Sequence, residues 1–299
     1  MQESADRVGP PRIVRAWPTA GGGNPGATVE VGFIDRSGAP DLFLRKVRPA
    51  VPRARLAFVH ASLVHSEYYV PFALRLADLG IETWLPDLTG HGRSGGTRGY
   101  TRSWGDAVAD AAAVFAAMAE SADVPLWVGG ESYGALVTYS AVQRGLIGAQ
   151  ACLFLSPAFG IHFRPSRSLW WILSRIGLPA FGRLRPVLRL TAEGITRDPM
   201  VARAIRRDAL CNHRYTLAFL VRMMQVQYEL QRPDPAWRTP TLMLLSAEDP
   251  ITDNDVSREM FRGNPLVDVR EAQGALHSLV ADIPQWAAQQ VGRWVEAAR

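Results

Sequence analysis

The sequence has only two cysteines, Cys152 and Cys211, and they lie far apart in the chain. They form neither a CxxC pair nor the spacing of a metal site, so we expect no disulfide framework and no metal. Apolar runs are short, and none approaches the ~20 residues that a membrane-spanning helix needs. The N-terminus, MQESADRVGPP, lacks the basic and then apolar segments of a secretory signal. These absences favour a cytoplasmic enzyme.

Lysine is nearly absent, since Lys46 is the only one, and the net charge of +5 comes almost wholly from arginine. Residues 160–214 carry eleven arginines against three acidic residues, Glu193, Asp198 and Asp208. The simplest interpretation is a helix whose arginines are solvated and whose apolar face packs on the core. The two functional alternatives are contact with an anionic membrane surface and contact with an acidic substrate, and charge alone does not separate them. We expect no nucleic-acid partner.

Short apolar runs and helical patterns alternate along most of the chain. Residues 1–28 are rich in Gly, Pro and Ala and predict a flexible tail. Two alternating segments around the turn DRSGAP then predict an antiparallel hairpin. From residue 54 onward, strands are predicted at ARLAFVH, IETWLPDL, VPLWVGG, ACLFLSP, TLMLLSA and LVDVREA. This alternation predicts an α/β fold with a mostly parallel central sheet flanked by helices.

Local signals in the sequence predict the starts of two helices and a break in the strand–helix alternation. Ser66 is a plausible N-cap of the first helix, which Gly80 is placed to end, and Ser103 with Asp106 resembles a capping box. The strand–helix alternation stops near Gly160, and the next 80 or so residues look helical without sheet strands. We therefore predict a core formed by residues 29–159 and 239–299 and a helical cap at 160–238. With 47% hydrophobic residues, the chain has enough apolar side chains for such a core.

The stretch Gly130-Glu131-Ser132-Tyr133-Gly134 lies where an apolar strand ends and a helix begins. A nucleophile elbow needs this setting, because the sharp turn exposes the serine hydroxyl above the sheet edge. The helix N-terminus then directs amide groups toward a developing oxyanion. We predict Ser132 as a nucleophile; the alternative is a tight turn that merely contains serine.

A serine nucleophile needs a base, and six histidines are available: His60, His65, His91, His162, His213 and His277. In folds with a nucleophile elbow of this kind the partners follow in the order serine, acid, histidine. Of the three histidines after Ser132, His162 and His213 lie in the predicted cap, and only His277 follows a predicted sheet strand and precedes a helix. For the acid, Glu248, Asp249 and Asp253 all follow the strand TLMLLSA. We prefer Asp249 and keep Glu248 as the alternative.

Five motifs in order carry a family resemblance: VHASLVHSEYY, DLTGHGRSGG, GESYGA, SAEDPITD and GALHSL. With them the chain resembles the monoacylglycerol-lipase-like branch of the α/β hydrolases, from about residue 30 to the C-terminus. That branch usually has HG, a small residue and a glycine–acid–His–Ser run in the first motif. The resemblance implies a triad of Ser132, Asp249 and His277. It also implies an oxyanion hole formed by the backbone amides of Ser62 and Tyr133.

Three departures from the family pattern matter most for the predicted site. Ala61 replaces the glycine after His60, Glu131 replaces the histidine before Ser132, and Ala135 replaces a later glycine. We expect His60, Ala61 and Glu131 near the substrate. The leading prediction is a serine hydrolase that cleaves a small-molecule carboxylic ester with a sizeable apolar acyl or alkyl part through an acyl-enzyme, without a cofactor. The departures leave open a biosynthetic thioesterase, acyltransferase or lyase with the same triad. A ligand-binding module without turnover is a third alternative.

Overall fold

An eight-stranded sheet runs through the computed structural model, which describes residues 26–120, 123–162, 166–186, 191–230 and 233–297. Most of the predicted N-terminal tail therefore lies outside the described residues. The strands are β1 Thr28–Ile34, β2 Leu42–Arg48, β3 Ala54–Val59, β4 Ile81–Pro86, β5 Leu126–Glu131, β6 Ala151–Leu155, β7 Thr241–Ser246 and β8 Val267–Ala272. Their order is β1-β2-β4-β3-β5-β6-β7-β8. The predicted hairpin β1–β2 is antiparallel, β2 pairs antiparallel with β4, and the other pairs are parallel. The predicted α/β fold is confirmed.

Helices cover both faces of the sheet. In the core these are α1 Val70–Asp78, α2 Trp104–Ala119, α3 Tyr133–Gln143, α9 Asn254–Met260, α10 Leu279–Asp282 and α11 Pro284–Ala297. Between β6 and β7 lie α4 Arg167–Ile172, α5 Leu178–Phe181, α6 Ala192–Ile195, α7 Pro199–Arg207 and α8 Leu217–Glu229. A π-helical stretch, Leu173–Gly177, joins α4 to α5.

Strand β3 shows why the central strands are continuous apolar runs. Leu56 and Phe58 belong to a buried cluster that includes residues of α1 and α11. Ala57 and Val59 belong to a second cluster with residues of α2 and α3. Successive side chains point to opposite faces of a strand, so a sheet covered on both faces needs apolar residues at every position. Burying each large side chain contributes roughly 1.5–3 kcal/mol.

Two of the three predicted helix-end signals are confirmed. Ser103 and Asp106 form the reciprocal capping box of α2, and Gly80 adopts a φ of +79° just after α1. The N-cap assigned to Ser66 is wrong. Ser66 lies inside a short 3-10 helix, Ser66–Tyr69, that precedes α1. Its hydroxyl accepts from Arg45 and its amide donates to Asp87, so long-range partners replace the local cap.

The predicted cap contacts loops at the carboxyl edge of the sheet. Among its described residues the segment between β6 and β7 contributes no sheet strand. The amide of Asn212 donates to the carbonyl of Leu63 at 2.8 Å, and the Ser278 amide donates to the Ile195 carbonyl at 2.8 Å. Both contacts reach loops that follow strands. No helix in the described part of the chain is long and apolar enough to cross a membrane.

Helix α3 approaches β3 more closely than any side chain would allow. A Cβ placed on Gly134 would lie 2.1 Å from the carbonyl oxygen of Val59. A Cβ on Gly130 would lie 2.5 Å from the backbone of Gly134 and 2.6 Å from the same Val59 oxygen. Both contacts are with backbone, which has little room to move inside the sheet. Glycine is therefore required at both positions.

We expect Gly134→Ala to lower the free energy of unfolding by about 3 kcal/mol, because the new methyl group pushes α3 away from β3. Urea unfolding of purified protein measures the change. Gly148→Ala is the matched control, since a Cβ there meets nothing within 4 Å. Equal stability of the two variants would contradict the close approach.

Candidate active site

Ser132 occupies a sharp turn between β5 and α3. Its backbone has φ 55° and ψ −114°, a conformation that non-glycine residues rarely adopt and that costs roughly 1–3 kcal/mol. The surrounding structure holds the turn: the Ser132 amide donates to Leu155 at 2.9 Å, and its carbonyl accepts from Ala158 at 3.1 Å. The strained backbone and the strand–turn–helix context are those of a nucleophile elbow.

Asp249 and His277 form a buried pair. Nδ1 of His277 lies 2.8 Å from Oδ2 of Asp249, and both side chains are almost fully buried. The other carboxylate oxygen of Asp249 accepts from the amides of Ile251 and Thr252 at 2.8 and 2.9 Å. These contacts fix the carboxylate, which in turn orients the imidazole. Nε2 is the ring nitrogen left for a serine hydroxyl.

The other acids after β7 have different partners. Glu248 is exposed and contacts Arg197 and the amide of Gly274. The Asp253 side chain caps the N-terminus of α9 by accepting from the amides of Asp255 and Val256. Asp249 is thus the acid that reaches His277, as the sequence interpretation preferred.

The loops that carry these residues meet at one sheet edge. Strands β5, β6, β7 and β8 are parallel neighbours, so Ser132, Asp249 and His277 follow carboxyl ends of strands at the same edge. A direct contact ties the loops together: Ser278 Oγ lies 3.1 and 3.0 Å from the two carboxylate oxygens of Glu131. The residue after His277 therefore contacts the residue before Ser132.

Charge and burial act in opposite directions on the Asp249–His277 pair. Burial raises the pKa of Asp249, but the positive charge and hydrogen bond of His277, with the Thr252 contacts, outweigh it and lower that pKa to about 2. Burial lowers the pKa of His277, whereas the charges of Asp249 and Glu131 raise it, with a net increase above 6.5. The carboxylates thus favour the imidazolium that forms when His277 accepts a proton.

Glu131 is the centre of a buried hydrogen-bond network. The Tyr69 hydroxyl donates to Oε2 of Glu131 at 2.8 Å, and the amide of Ala61 donates to the same hydroxyl at 2.9 Å. With Ser278 on the other side, the network joins the loop after β3 to the loop of His277. Burial raises the pKa of Glu131, partly offset by His277 and the two donors.

The predicted oxyanion donors lie in the expected segments. Tyr133 is the first residue of α3, where helix geometry leaves its amide without a helical acceptor. Ser62 follows Ala61, whose own amide is taken by Tyr69, and the Ser62 hydroxyl lies 3.2 Å from that of Tyr215. The ring of His91 stacks on that of Tyr133 with centroids 5.8 Å apart. Burial lowers the pKa of His91 to about 3, so His91 packs there as a neutral ring.

The three residues expected near the substrate have different positions. Ala61 and Glu131 border a cavity of about 560 Å³, and His60 is not among the residues that line it. Nδ1 of His60 lies 2.8 Å from the Ala61 carbonyl, and Nε2 accepts from the Leu88 amide at 3.1 Å. Both ring nitrogens are therefore engaged by backbone. His60 thus supports the loop that carries Ser62, and its expected place near the substrate stays a prediction.

One cluster of potential metal ligands occurs among the described residues. His65, Asp208 and Cys211 each offer one donor atom within 4.8 Å of the others. Nε2 of His65 and Oδ2 of Asp208 are already hydrogen-bonded at 2.9 Å, and the Tyr68 hydroxyl donates to the same oxygen at 3.2 Å. Burial raises the pKa of Cys211 to about 12, which disfavours the thiolate that a metal requires. The cluster joins the cap to the loop after β3 through hydrogen bonds.

The family model of the serine aminopeptidase S33 hydrolases matches residues 50–284. The chain belongs to this α/β-hydrolase family. A monoglyceride lipase homolog of monkeypox virus is 26% identical over 76% of this chain and 83% of its own length. A monoacylglycerol lipase of Mycolicibacterium smegmatis is 29% identical over 54% of this chain and 58% of its own length.

Among solved structures, the monoacylglycerol lipase of Paleococcus ferrophilus matches with a TM-score of 0.70 and 23% identity. That match covers 86% of this chain and 99% of the lipase. At this identity the likeness shows the fold. Together with the family and the curated relatives, it confirms the predicted monoacylglycerol-lipase-like branch and, at the level of enzyme class, a carboxylic ester hydrolase.

The contacts that accommodate these departures from the S33 family pattern were not predicted from the sequence. Tyr69 and Ser278, the donors to Glu131, both lie inside motifs already singled out, VHASLVHSEYY and GALHSL. A carboxylate at a buried strand end needs hydrogen-bond donors, and this requirement was the sequence signal that could have pointed to partners of Glu131. Leu63 and Val64 stand at the glycine and acid of the family's first motif, and both border the cavity.

We expect kcat/KM to fall as pH decreases through the pKa of His277, because only the neutral imidazole accepts a proton. In Glu131→Gln the loss of a nearby negative charge lowers that pKa, so the acid limb shifts to lower pH by about one unit. Ser278→Ala is the control, because it removes a hydrogen bond to Glu131 but keeps the charge. Identical midpoints in wild type and Glu131→Gln would contradict an electrostatic contribution from Glu131.

Proposed function

We propose that the protein hydrolyses carboxylic esters through an acyl-enzyme formed on Ser132, with His277 as base and Asp249 as its orienting acid. One observation carries this proposal. The 2.8 Å contact between His277 and Asp249 lies on loops at the same sheet edge as the elbow, and the Ser278–Glu131 contact anchors the histidine loop one residue from Ser132. A tight turn that merely contains serine does not require a buried acid–histidine pair at the same sheet edge.

Each group has a defined role in the proposed reaction. Ser132 Oγ attacks the ester carbonyl while Nε2 of His277 takes the hydroxyl proton. The imidazolium, stabilised by Asp249, then donates that proton to the departing alcohol, and the acyl group remains on Ser132. Water, deprotonated by His277, hydrolyses the acyl-enzyme and releases the acid. The amides of Ser62 and Tyr133 receive the oxyanion, and each contributes about 3 kcal/mol to the lowering of the barrier.

The substrate class follows from the surroundings and the relatives. The cavity beside the site is lined mainly by apolar side chains, among them Leu63, Ile205 and Val280. Relatives named as monoglyceride or monoacylglycerol lipases support a small lipid-like ester. We propose an ester with a sizeable apolar part as the substrate.

Ser132→Ala is expected to abolish labelling by a fluorophosphonate and to lower kcat on p-nitrophenyl butyrate by roughly 10⁶-fold, because the attacking atom is lost. Ser140→Ala is the control: this hydroxyl, further along α3, donates to the carbonyl of Leu136 in its own helix. An unimpaired Ser132→Ala variant would exclude the acyl-enzyme.

Turnover measurements with added acceptors and with thioesters distinguish the alternative reactions, acyl transfer and thioester hydrolysis. Acyl-enzyme that passes its acyl group to an added thiol or alcohol in preference to water indicates an acyltransferase. Preference for a thioester over the matched oxygen ester indicates a thioesterase.

We also propose that the cap meets an anionic membrane surface. Large apolar side chains are exposed along α4, the π-helical stretch and α5 and just beyond, and we call them the cap apolar face: Leu169, Trp171, Ile172, Ile176, Phe181 and Leu184. Their exposure argues against a helix whose apolar side packs wholly on the core. Arg175 and Arg183 are exposed among them, and the sequence has no acidic residue from position 160 to 192. Exposed apolar side chains interspersed with arginines are typical of a surface that binds anionic lipid headgroups, and they fit a small acidic substrate less well.

We expect the protein to co-sediment with vesicles of phosphatidylcholine and phosphatidylglycerol more than with phosphatidylcholine alone, and less at high salt. Ile176→Ser weakens binding because it removes an inserted side chain, and Arg175→Gln weakens it about fivefold, the equivalent of ~1 kcal/mol per basic residue. Phe33→Ser is the matched control, since Phe33 on β1 is as exposed as Ile176, at 58%. Equal loss in the Phe33 variant would contradict a specific role of the cap apolar face.

A further inference from the structure

The backbone around Ser62 is held by hydrogen bonds to the residues on either side of it. The amide of Ala61 donates to the hydroxyl of Tyr69 at 2.9 Å, and the carbonyl of Leu63 accepts from the amide of Asn212 at 2.8 Å. Within the part of the chain that the structure describes, the amide of Ser62 itself has no hydrogen-bond partner. The backbone is therefore fixed on both sides of the amide that the proposed reaction uses.

Tyr215, just before α8, reaches Ser62 from the predicted cap. Its hydroxyl oxygen lies 3.2 Å from Oγ of Ser62, and its side chain is buried. The ring stacks on that of Phe219, with centroids 5.0 Å apart and planes inclined by 23°. Burial raises the pKa of Tyr215, so the hydroxyl keeps its proton. A ring held in this way offers its hydroxyl to Ser62 from one fixed direction.

The same aromatic pair also contacts the second proposed oxyanion residue. The centroid of the Phe219 ring lies 5.1 Å from that of Tyr133, which is the first residue of α3. Aromatic rings at such distances attract each other. Tyr215 and Phe219 thus connect Ser62 and Tyr133, whose amides belong to two separate segments of the core.

The two proposed donors differ in how their amides are fixed. The amide of Tyr133 is set by the first turn of α3, whereas Ser62 lies outside any helix or strand, between β3 and the 3-10 helix Ser66–Tyr69. An amide stabilises a developing oxyanion best when it already has the right direction before the reaction. A displacement of about 1 Å can cost about 100-fold in rate. The Ser62 amide therefore depends on support from its neighbours.

We propose that Tyr215 is a positioning residue of the reaction: its hydroxyl holds Ser62 so that the Ser62 amide is directed at the oxyanion. The inference rests on the oxyanion role proposed above for Ser62 and Tyr133. Tyr215 acts through Ser62 and does not contact the substrate in this scheme. The predicted cap then completes the oxyanion site in addition to covering it.

Tyr215→Phe tests the proposal because it keeps the stacked ring and removes only the hydroxyl. We expect kcat on p-nitrophenyl butyrate, per active site counted with a fluorophosphonate, to fall about tenfold while KM changes less than about twofold. The inhibition constant of an alkyl trifluoromethyl ketone, whose adduct with Ser132 carries an oxyanion, rises by the same factor. The pH midpoint of kcat/KM stays at the wild-type value, because no contact of His277 changes.

Tyr139→Phe is the matched control. Tyr139 is also buried, its ring stacks on Trp237 with centroids 5.0 Å apart, and its hydroxyl donates to Asp234 at 2.6 Å. We expect this variant to lose melting temperature but to keep the wild-type kcat and inhibition constant. If Tyr215→Phe behaves in the same way, its hydroxyl only attaches the cap to the core, and the proposal is overturned.

A double-mutant cycle shows whether Tyr215 acts through Ser62. Ser62→Ala removes the hydroxyl partner and keeps the backbone amide, so each single variant is expected to lose about tenfold in kcat and the double variant no more than either. Additive losses, about 100-fold in the double variant, would mean that the two hydroxyls act independently and would contradict the proposal. Should Tyr215→Phe fail to fold, Ser62→Ala breaks the same contact, and an unchanged inhibition constant in that variant overturns the proposal.

The failure of this inference differs from the failure of the proposed function. A wild-type kcat in Tyr215→Phe, in an enzyme that still depends on Ser132, removes only the positioning role of Tyr215. Absence of both fluorophosphonate labelling and ester turnover in the wild-type protein removes the ester hydrolase itself.

Discussion

The close approach of α3 to β3 determines the geometry around Ser132. Gly134 packs against the carbonyl of Val59, and a single methyl group at either elbow glycine would overlap backbone. Because Val59 directly precedes the loop of His60 and Ser62, the contact that shapes the elbow also places that loop beside the first turn of α3. The proposed nucleophile and both proposed oxyanion donors thus lie at one corner of the structure, an arrangement that suits preorganised electrostatic stabilisation.

Glu131 shows how a buried charge is accommodated beside that corner. An ionised carboxylate without partners would be costly to bury. Here Tyr69 and Ser278 donate to it and the charge of His277 lies nearby. The same contacts join the oxyanion loop to the histidine loop. A carboxylate at this position is therefore compatible with the S33 fold because two other segments supply its donors.

Much of the fold and the pairing of Asp249 with His277 could be predicted from the sequence. Five of the six predicted strands are buried strands of the sheet, because burial on both faces leaves a local signature, whereas β8 at the sheet edge is mostly half-buried. Asp249 and His277 were predictable because parallel strands end at one edge. The hydrogen-bond network of Glu131 could not be predicted, because its donors, Tyr69 and Ser278, lie 62 positions before it and 147 positions after it in the sequence. Ser66 failed as a cap for the same reason, since Arg45 and Asp87 engage it from distant strands.

The hydrogen bond between His65 and Asp208 links the cap to the segment that carries Ser62. Separation of these two segments would break this bond together with the contact between the Asn212 amide and the Leu63 carbonyl. A substitution at either residue of the bond therefore weakens the attachment of the predicted cap and of the loop that carries Ser62 at the same time.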